Sequence, residues 1–230
     1  MSLDRGRRHF HDELDKLQDR LMEMAGFTEE LVRKATEALL TRNASLAKEV
    51  RKEDDVVDAL EVQLDEQVLE LLALQQPMAV DLRQVVVTLK IANDLERVGD
   101  HAVNIAKATK RMMDYPPLPE LPEVAEMVRI SRGMLADALA AYVSRNTELA
   151  RDVCVRDDRV DNLRRSLYRI LVSHMLEEPR RISPALELLL VSQNLERVAD
   201  LSTNVCEDLI FLVEGKPLRS SSVAGPRIQG

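Results

Sequence analysis

Tryptophan is absent from this chain, and three tyrosines and three phenylalanines make up the whole aromatic complement of 230 residues. Glycine is scarce at 7 and proline at 9, while alanine, leucine, valine, glutamate, aspartate and arginine dominate. A mixture of helix formers with so little turn chemistry points to an all-α protein. Cysteine occurs twice, as Cys154 and Cys206, in no C-x-x-C spacing. That excludes a disulfide framework and leaves two buried free thiols of a cytoplasmic protein as the expectation. No stretch approaches the roughly 18 apolar residues of a spanning helix. No apolar segment follows Met1–Arg8, so no secretory signal is expected there. Basic residues are outnumbered, 32 against 40, for a net charge of −8. Such a field disfavours nucleic acid and anionic membrane, and favours cations and basic protein surfaces.

Catalytic signatures are missing as well. No Glu-x-x-His, H-E-x-x-H, P-loop or G-x-S-x-G pattern occurs. No nucleophile has an evident base beside it, so an enzyme would have to be built from carboxylates and metal alone. The expectation is therefore a protein that is not an enzyme.

What the chain does have is an internal repeat. Thr41–Val50 aligns in kind with Ser144–Val153, and Asp54-Asp55-Val56-Val57-Asp58 with Asp157-Asp158-Arg159-Val160-Asp161. Both pairs are offset by 103 residues, whereas Leu95-Glu96-Arg97-Val98-Gly99-Asp100 and Leu195-Glu196-Arg197-Val198-Ala199-Asp200 are offset by 100. Two collinear matches establish a duplication, with about three residues lost near Pro179 in the second half.

Each half reads as three helices. Apolar periodicity predicts a first helix from about Phe10 to Leu40, loosened at Gly26. Asn43 suits the N-cap of a second helix reaching about Leu74, and a third runs from about Asp81, itself read as a cap, to Met113. The second half repeats the plan over about Pro122–Ser144, Thr147–Leu176 and Pro184–Glu214, with Ser183 capping the last helix. Between the halves stands Tyr115–Pro122, where four prolines in eight residues rule out a continuing helix. The expected organisation is two tandem three-helix bundles, 8–114 and 123–216, with a linker at 115–122 and a disordered tail at 217–230.

The chemistry lies in the repeated carboxylates. Glu96, Asp100 and Asn104 stack at four-residue intervals along one helix face, as do Glu196, Asp200 and Asn204. Asp54/Asp58 and Asp157/Asp161 have the same spacing on the preceding helices. Like charges one turn apart repel unless a metal ion, an arginine or a basic partner covers them. Oxygens converging from two helices suit hard cations. With 40 acidic residues in the chain, a single such pair would also arise on any solvated face, and duplication copies surface residues too. Arg97 and Arg197 are expected to pair with carboxylates on other helices. His101, opposite Leu201, is not expected to be a shared ligand, and His9, His11 and His174 are read as having no role.

In combination, Asn93–Ile105, Gln76–Arg83, Asn194–Asp200 and Phe10–Leu14 resemble the PhoU family of phosphate-transport regulators over residues 8–216. The resemblance implies two similar three-helix bundles and a negative regulator of phosphate uptake and of the phosphate-starvation response. It implies an adaptor between the phosphate ABC transporter ATPase and the phosphate-sensing histidine kinase, cytoplasmic and homodimeric. It also implies a metal cluster (iron, zinc, manganese or magnesium) held through E(D)-x-x-x-D motifs. On this sequence those motifs fall at Asp54/Asp58, Glu96/Asp100, Asp157/Asp161 and Glu196/Asp200. Family members commonly keep a histidine where this chain has Leu201, and the second half lacks the Asp81-Leu82-Arg83 phrase. The two sites are therefore not expected to be identical. Two alternatives stand beside the regulator: a metal-dependent phosphate-ester hydrolase, and a metal-free helical scaffold.

Overall fold

The computed structural model describes the backbone of residues 2–216 and side chains from Phe10 onward. Six long helices follow in order: α1 Ser2–Thr41, α2 Ala44–Gln75, α3 Val80–Met112, α4 Pro122–Ser144, α5 Thr147–Glu177 and α6 Ile182–Glu214. No strand occurs among the described residues. α1, α2 and α3 pack on one another as a first three-helix bundle, and α4, α5 and α6 as a second. The tail at 217–230 and the side chain of His9 lie outside the described residues.

Local chemistry sets the helix ends in matched pairs. Asn43 Oδ1 accepts from the Ser45 and Leu46 amides at 3.0 and 3.1 Å, and Asn146 Oδ1 from those of Glu148 and Leu149 at 3.1 and 3.0 Å. Each satisfies two of the donors a helix start leaves open. Just before them Arg42 and Arg145 take the left-handed conformation, with φ of 49° and 53°. That region is strained for a residue with a Cβ. Arg42 recovers part of the cost by donating to the carbonyls of Met112 and Tyr115, which ties the first turn to the linker.

Two expectations about helix ends fail, and so does the loosening expected at Gly26. α3 has no side-chain cap: Ala79 precedes it at φ 51°, and Asp81 sits inside the first turn. There it answers the positive end of the helix dipole instead. α6 starts at Ile182, after a 3-10 turn at Pro179–Arg181, so Ser183 lies within the helix and caps nothing. α1 runs unbroken through Gly26, because packing on both sides outweighs a propensity cost of about 1 kcal/mol.

The two bundles are not beads on a string. α3 and α6 form the most extensive helix contact in the molecule, running antiparallel, and α1 also touches α4. One apolar core runs through both halves, with Leu17, Leu64, Ile91, Leu95, Met134 and Leu195 inside it. Polar links close the seam: Arg111 forks onto Glu187 with two bonds of 2.7 Å, Lys90 reaches Asp208 at 2.8 Å, and Arg83 donates to the Phe211 and Leu212 carbonyls. His101 Nδ1 meets Asn194 Oδ1 at 2.8 Å across the same seam. Cys206 is buried as expected, whereas Cys154 is only partly so.

Candidate functional site

The eight carboxylates of the repeated pairs lie on faces where two helices meet. Asp54 and Asp58 project from α2 toward Glu96 and Asp100 of α3. Asp157 and Asp161 of α5 face Glu196 and Asp200 of α6 in the same way. α3 makes room for Asp54 with Gly99: a Cβ there would stand 3.0 Å from Asp54 Oδ1. As the side chains stand, no three His, Cys, Asp or Glu groups among the described residues come close enough to enclose a metal ion. The sites are open carboxylate surfaces.

Their electrostatics are those of uncompensated charge. Burial pushes the Glu96 carboxyl up to about 7, and Asp100, Glu61, Asp58 and Asp54 add repulsion. Burial raises Asp54 to about 6, helped by Asp58 and Asp100. Asp58 and Glu61 shift upward for the same two reasons. In the second half burial raises Asp157 to about 6, with Asp200 and Asp161 contributing. A bound cation would reverse each of these shifts, since it favours the ionised form.

The second site differs from the first in one decisive respect. Glu196 is raised by burial, but Arg164 opposes the shift, its Nε 2.9 Å from Glu196 Oε1. At the 103-residue offset, Arg164 corresponds to Glu61. The first site thus has an extra carboxylate where the second has a built-in cation. Neither Arg97 nor Arg197 bridges helices as expected. Arg97 lies 3.4 Å from Asp94 and Arg197 2.8 Å from Asp200, each within its own helix at i, i+3, because that contact forms as soon as the helix does.

Beside the first site a cleft of about 570 Å³ opens between α2, α3 and α6, bordered by Glu61, Asp65, Asn93, Asp94, Glu207 and Asp208. Spacing alone gave no sign of Glu61 and Arg164, since neither belongs to the repeated phrase. Comparing the two halves position by position would have found them.

Residues 21–109 and 124–209 each match the PhoU domain family. The chain belongs to that family. The PhoU homolog of Clostridium acetobutylicum, a phosphate-specific transport system accessory protein, is 38% identical over 211 residues, covering 91% of this chain and 96% of its own length. The corresponding Aquifex aeolicus protein is also 38% identical, over 92% of this chain and 96% of its own. The crystal structure of PhoU from Pseudomonas aeruginosa superposes with a TM-score of 0.88 at 34% identity, covering 90% of this chain and all of that one. That of the phosphate transport system regulatory protein PhoU from Streptococcus pneumoniae gives 0.84 at 27%, covering 92% and all of that chain.

Proposed function

We propose that this chain is a non-enzymatic negative regulator of phosphate uptake and of the phosphate-starvation response. It works in the cytoplasm as a homodimeric adaptor between the phosphate ABC transporter ATPase and the phosphate-sensing histidine kinase. The observation that carries this reading is the match, along about nine-tenths of the chain, to proteins named as accessory and regulatory components of phosphate transport. The acidic faces support it from the physical side. Partly buried carboxylates gathered at two helix junctions call for a positive partner.

Oxygen donors of this kind fit hard cations such as iron, manganese or magnesium, and carboxylates serve in zinc sites as well. Asp54, Asp58, Glu96 and Asp100 would hold a metal in the first bundle, and Asp157, Asp161, Glu196 and Asp200 in the second. A bound metal would neutralise the faces and so set what they accept as a docking partner.

Two measurements test the reading. Removing the gene should switch on phosphate-starvation genes in phosphate-rich medium, and unchanged repression would sink the regulatory role. Calorimetric titration of chelator-stripped protein with iron(II), manganese(II), zinc(II) and magnesium(II) should show saturable binding that Asp100→Asn/Asp200→Asn abolishes. Binding unaltered in that variant would move the metal elsewhere.

A further inference from the structure

The two cysteines of the chain lie on different helices of the second bundle, Cys154 on α5 and Cys206 on α6, and both are free thiols. Two ion pairs fix the register between these helices. Arg164 of α5 lies 2.9 Å from Glu196 of α6, and Arg151 lies 2.7 Å from Glu214. Residue numbers fall along α5 as they rise along α6, so the helices run antiparallel. Ten residues back from Arg164 is Cys154, and ten residues on from Glu196 is Cys206. The register therefore sets the cysteines opposite each other, and the Cys206 thiol donates a hydrogen bond to the Cys154 sulfur across the junction.

Packing does not require sulfur at this place. The aligned positions of the first bundle hold exposed Arg51 and buried Ala106, and the same helix junction closes there without a thiol. The two thiols also differ in access. Cys206 is fully enclosed, whereas Cys154 sits at the edge of the core, one residue before exposed Val155. The hydrogen bond from Cys206 holds the Cys154 thiol below its usual range against the effect of burial, while that bond and burial together push Cys206 up. Because the thiolate is the nucleophile, Cys154 is the member that attacks and Cys206 the one that resolves. Asp157 and Glu207 place negative charge around Cys154, which favours a small neutral oxidant over an anionic disulfide.

We propose that Cys154 and Cys206 form a redox-active pair, which a hydroperoxide converts to a disulfide between α5 and α6. In the first step Cys154 Sγ attacks one oxygen of hydrogen peroxide. The O–O bond breaks, an S–O bond forms, and the thiol proton leaves with the other oxygen as water. In the second step Cys206 Sγ attacks the sulfenic sulfur, the S–S bond forms, and hydroxide departs with the Cys206 proton as a second water. The two sulfurs together give up two electrons, and one hydrogen peroxide becomes two waters. The bond clamps α5 to α6 three residues before Asp157 and six after Asp200. Its effect is confined to the bundle that carries the second acidic site, since the first bundle has no cysteine.

Peroxide treatment of the reduced full chain in chelator-containing buffer, followed by alkylation under denaturing conditions, tests this. The expected product is a chain lighter by two hydrogen atoms, with both cysteines protected from alkylation and Cys154 joined to Cys206 in one linked peptide. Dithiothreitol should restore both thiols. Cys206→Ala, which keeps the packing seen at Ala106, should stop at a Cys154 sulfenic acid that dimedone traps. Cys154→Ser should slow oxidation of Cys206 about tenfold or more, with helical circular dichroism unchanged in both variants. Thiols that survive conditions oxidising free glutathione completely, or a bond joining two chains, would overturn the proposal. So would Cys154 oxidised past the sulfenic acid while Cys206 stays a thiol, or Cys206 reacting as fast without Cys154.

Discussion

Glu96 shows how one residue reports on its surroundings. Its folded carboxyl titrates at about 7, above the ordinary range near 4.5, so in the folded protein it stays protonated over that interval. A raised carboxyl contributes stability that is complete below its unfolded value and is lost as pH rises through the folded one. Metal-free protein should therefore weaken between pH 5 and pH 8. Glu96→Gln should flatten that slope, gaining on the order of 1 kcal/mol at pH 8 after solvent screening and almost nothing at pH 5. Urea unfolding at both pH values checks this, and a variant no more stable than the parent at pH 8 would refute it. Arg164 belongs to the same scale. Arg164→Gln should remove the internal counter-ion of the second site and strengthen its binding of whichever divalent ion the first site takes. Calorimetry showing no change would mean that Arg164 does not compete with cations. At Ala79 the backbone itself is strained, with φ 51°. Ala79→Gly should stabilise the fold by about 1 kcal/mol, seen as a higher denaturant midpoint at constant slope.

Among whole elements, the matched helix starts are the clearest inheritance of the duplication. Asn43 and Asn146 make the same two bonds, and replacing either by alanine should cost about 1 kcal/mol. In thermal unfolding that is a drop of roughly 2–4 °C for a chain of this size. Equal losses at the two caps would show that both helix starts support the same cooperative fold. The Asn43 cap was legible because its chemistry is local: an amide side chain just ahead of an apolar periodic run. Asp81 and Ser183 misled for a related reason. Their residue types suit caps, but the chain reaches α3 through Ala79 and α6 through a 3-10 turn, and those approach paths are set by packing. Packing also preserves contacts while changing the residues that make them. Lys34 pairs with Glu53 at 2.6 Å, and at the equivalent places Asp137 pairs with Arg156 at 2.6 Å with the signs exchanged.

For the molecule as a whole, the continuous core predicts cooperative behaviour. Leu95 and Leu195 are both buried, and substitution of either by alanine should cost about 2–5 kcal/mol. Because α3 and α6 share that core, either change should lower one common unfolding transition. Two separate transitions, each moved by only one of the variants, would instead mark the bundles as independent.

The repeated phrases and the apolar periodicity determined by themselves that the chain is helical, that it is doubled, and which carboxylates line its helix faces. These are properties of residue spacing, and a helix converts spacing into a face without help from the rest of the chain. Only the tertiary structure decided that α3 and α6 fuse the halves into one core, and that His101 spans the seam to Asn194. It also decided that Arg164 closes one acidic site while Glu61 leaves the other open. Those outcomes depend on which helix lies beside which, and burial then sets how strongly the charges are felt.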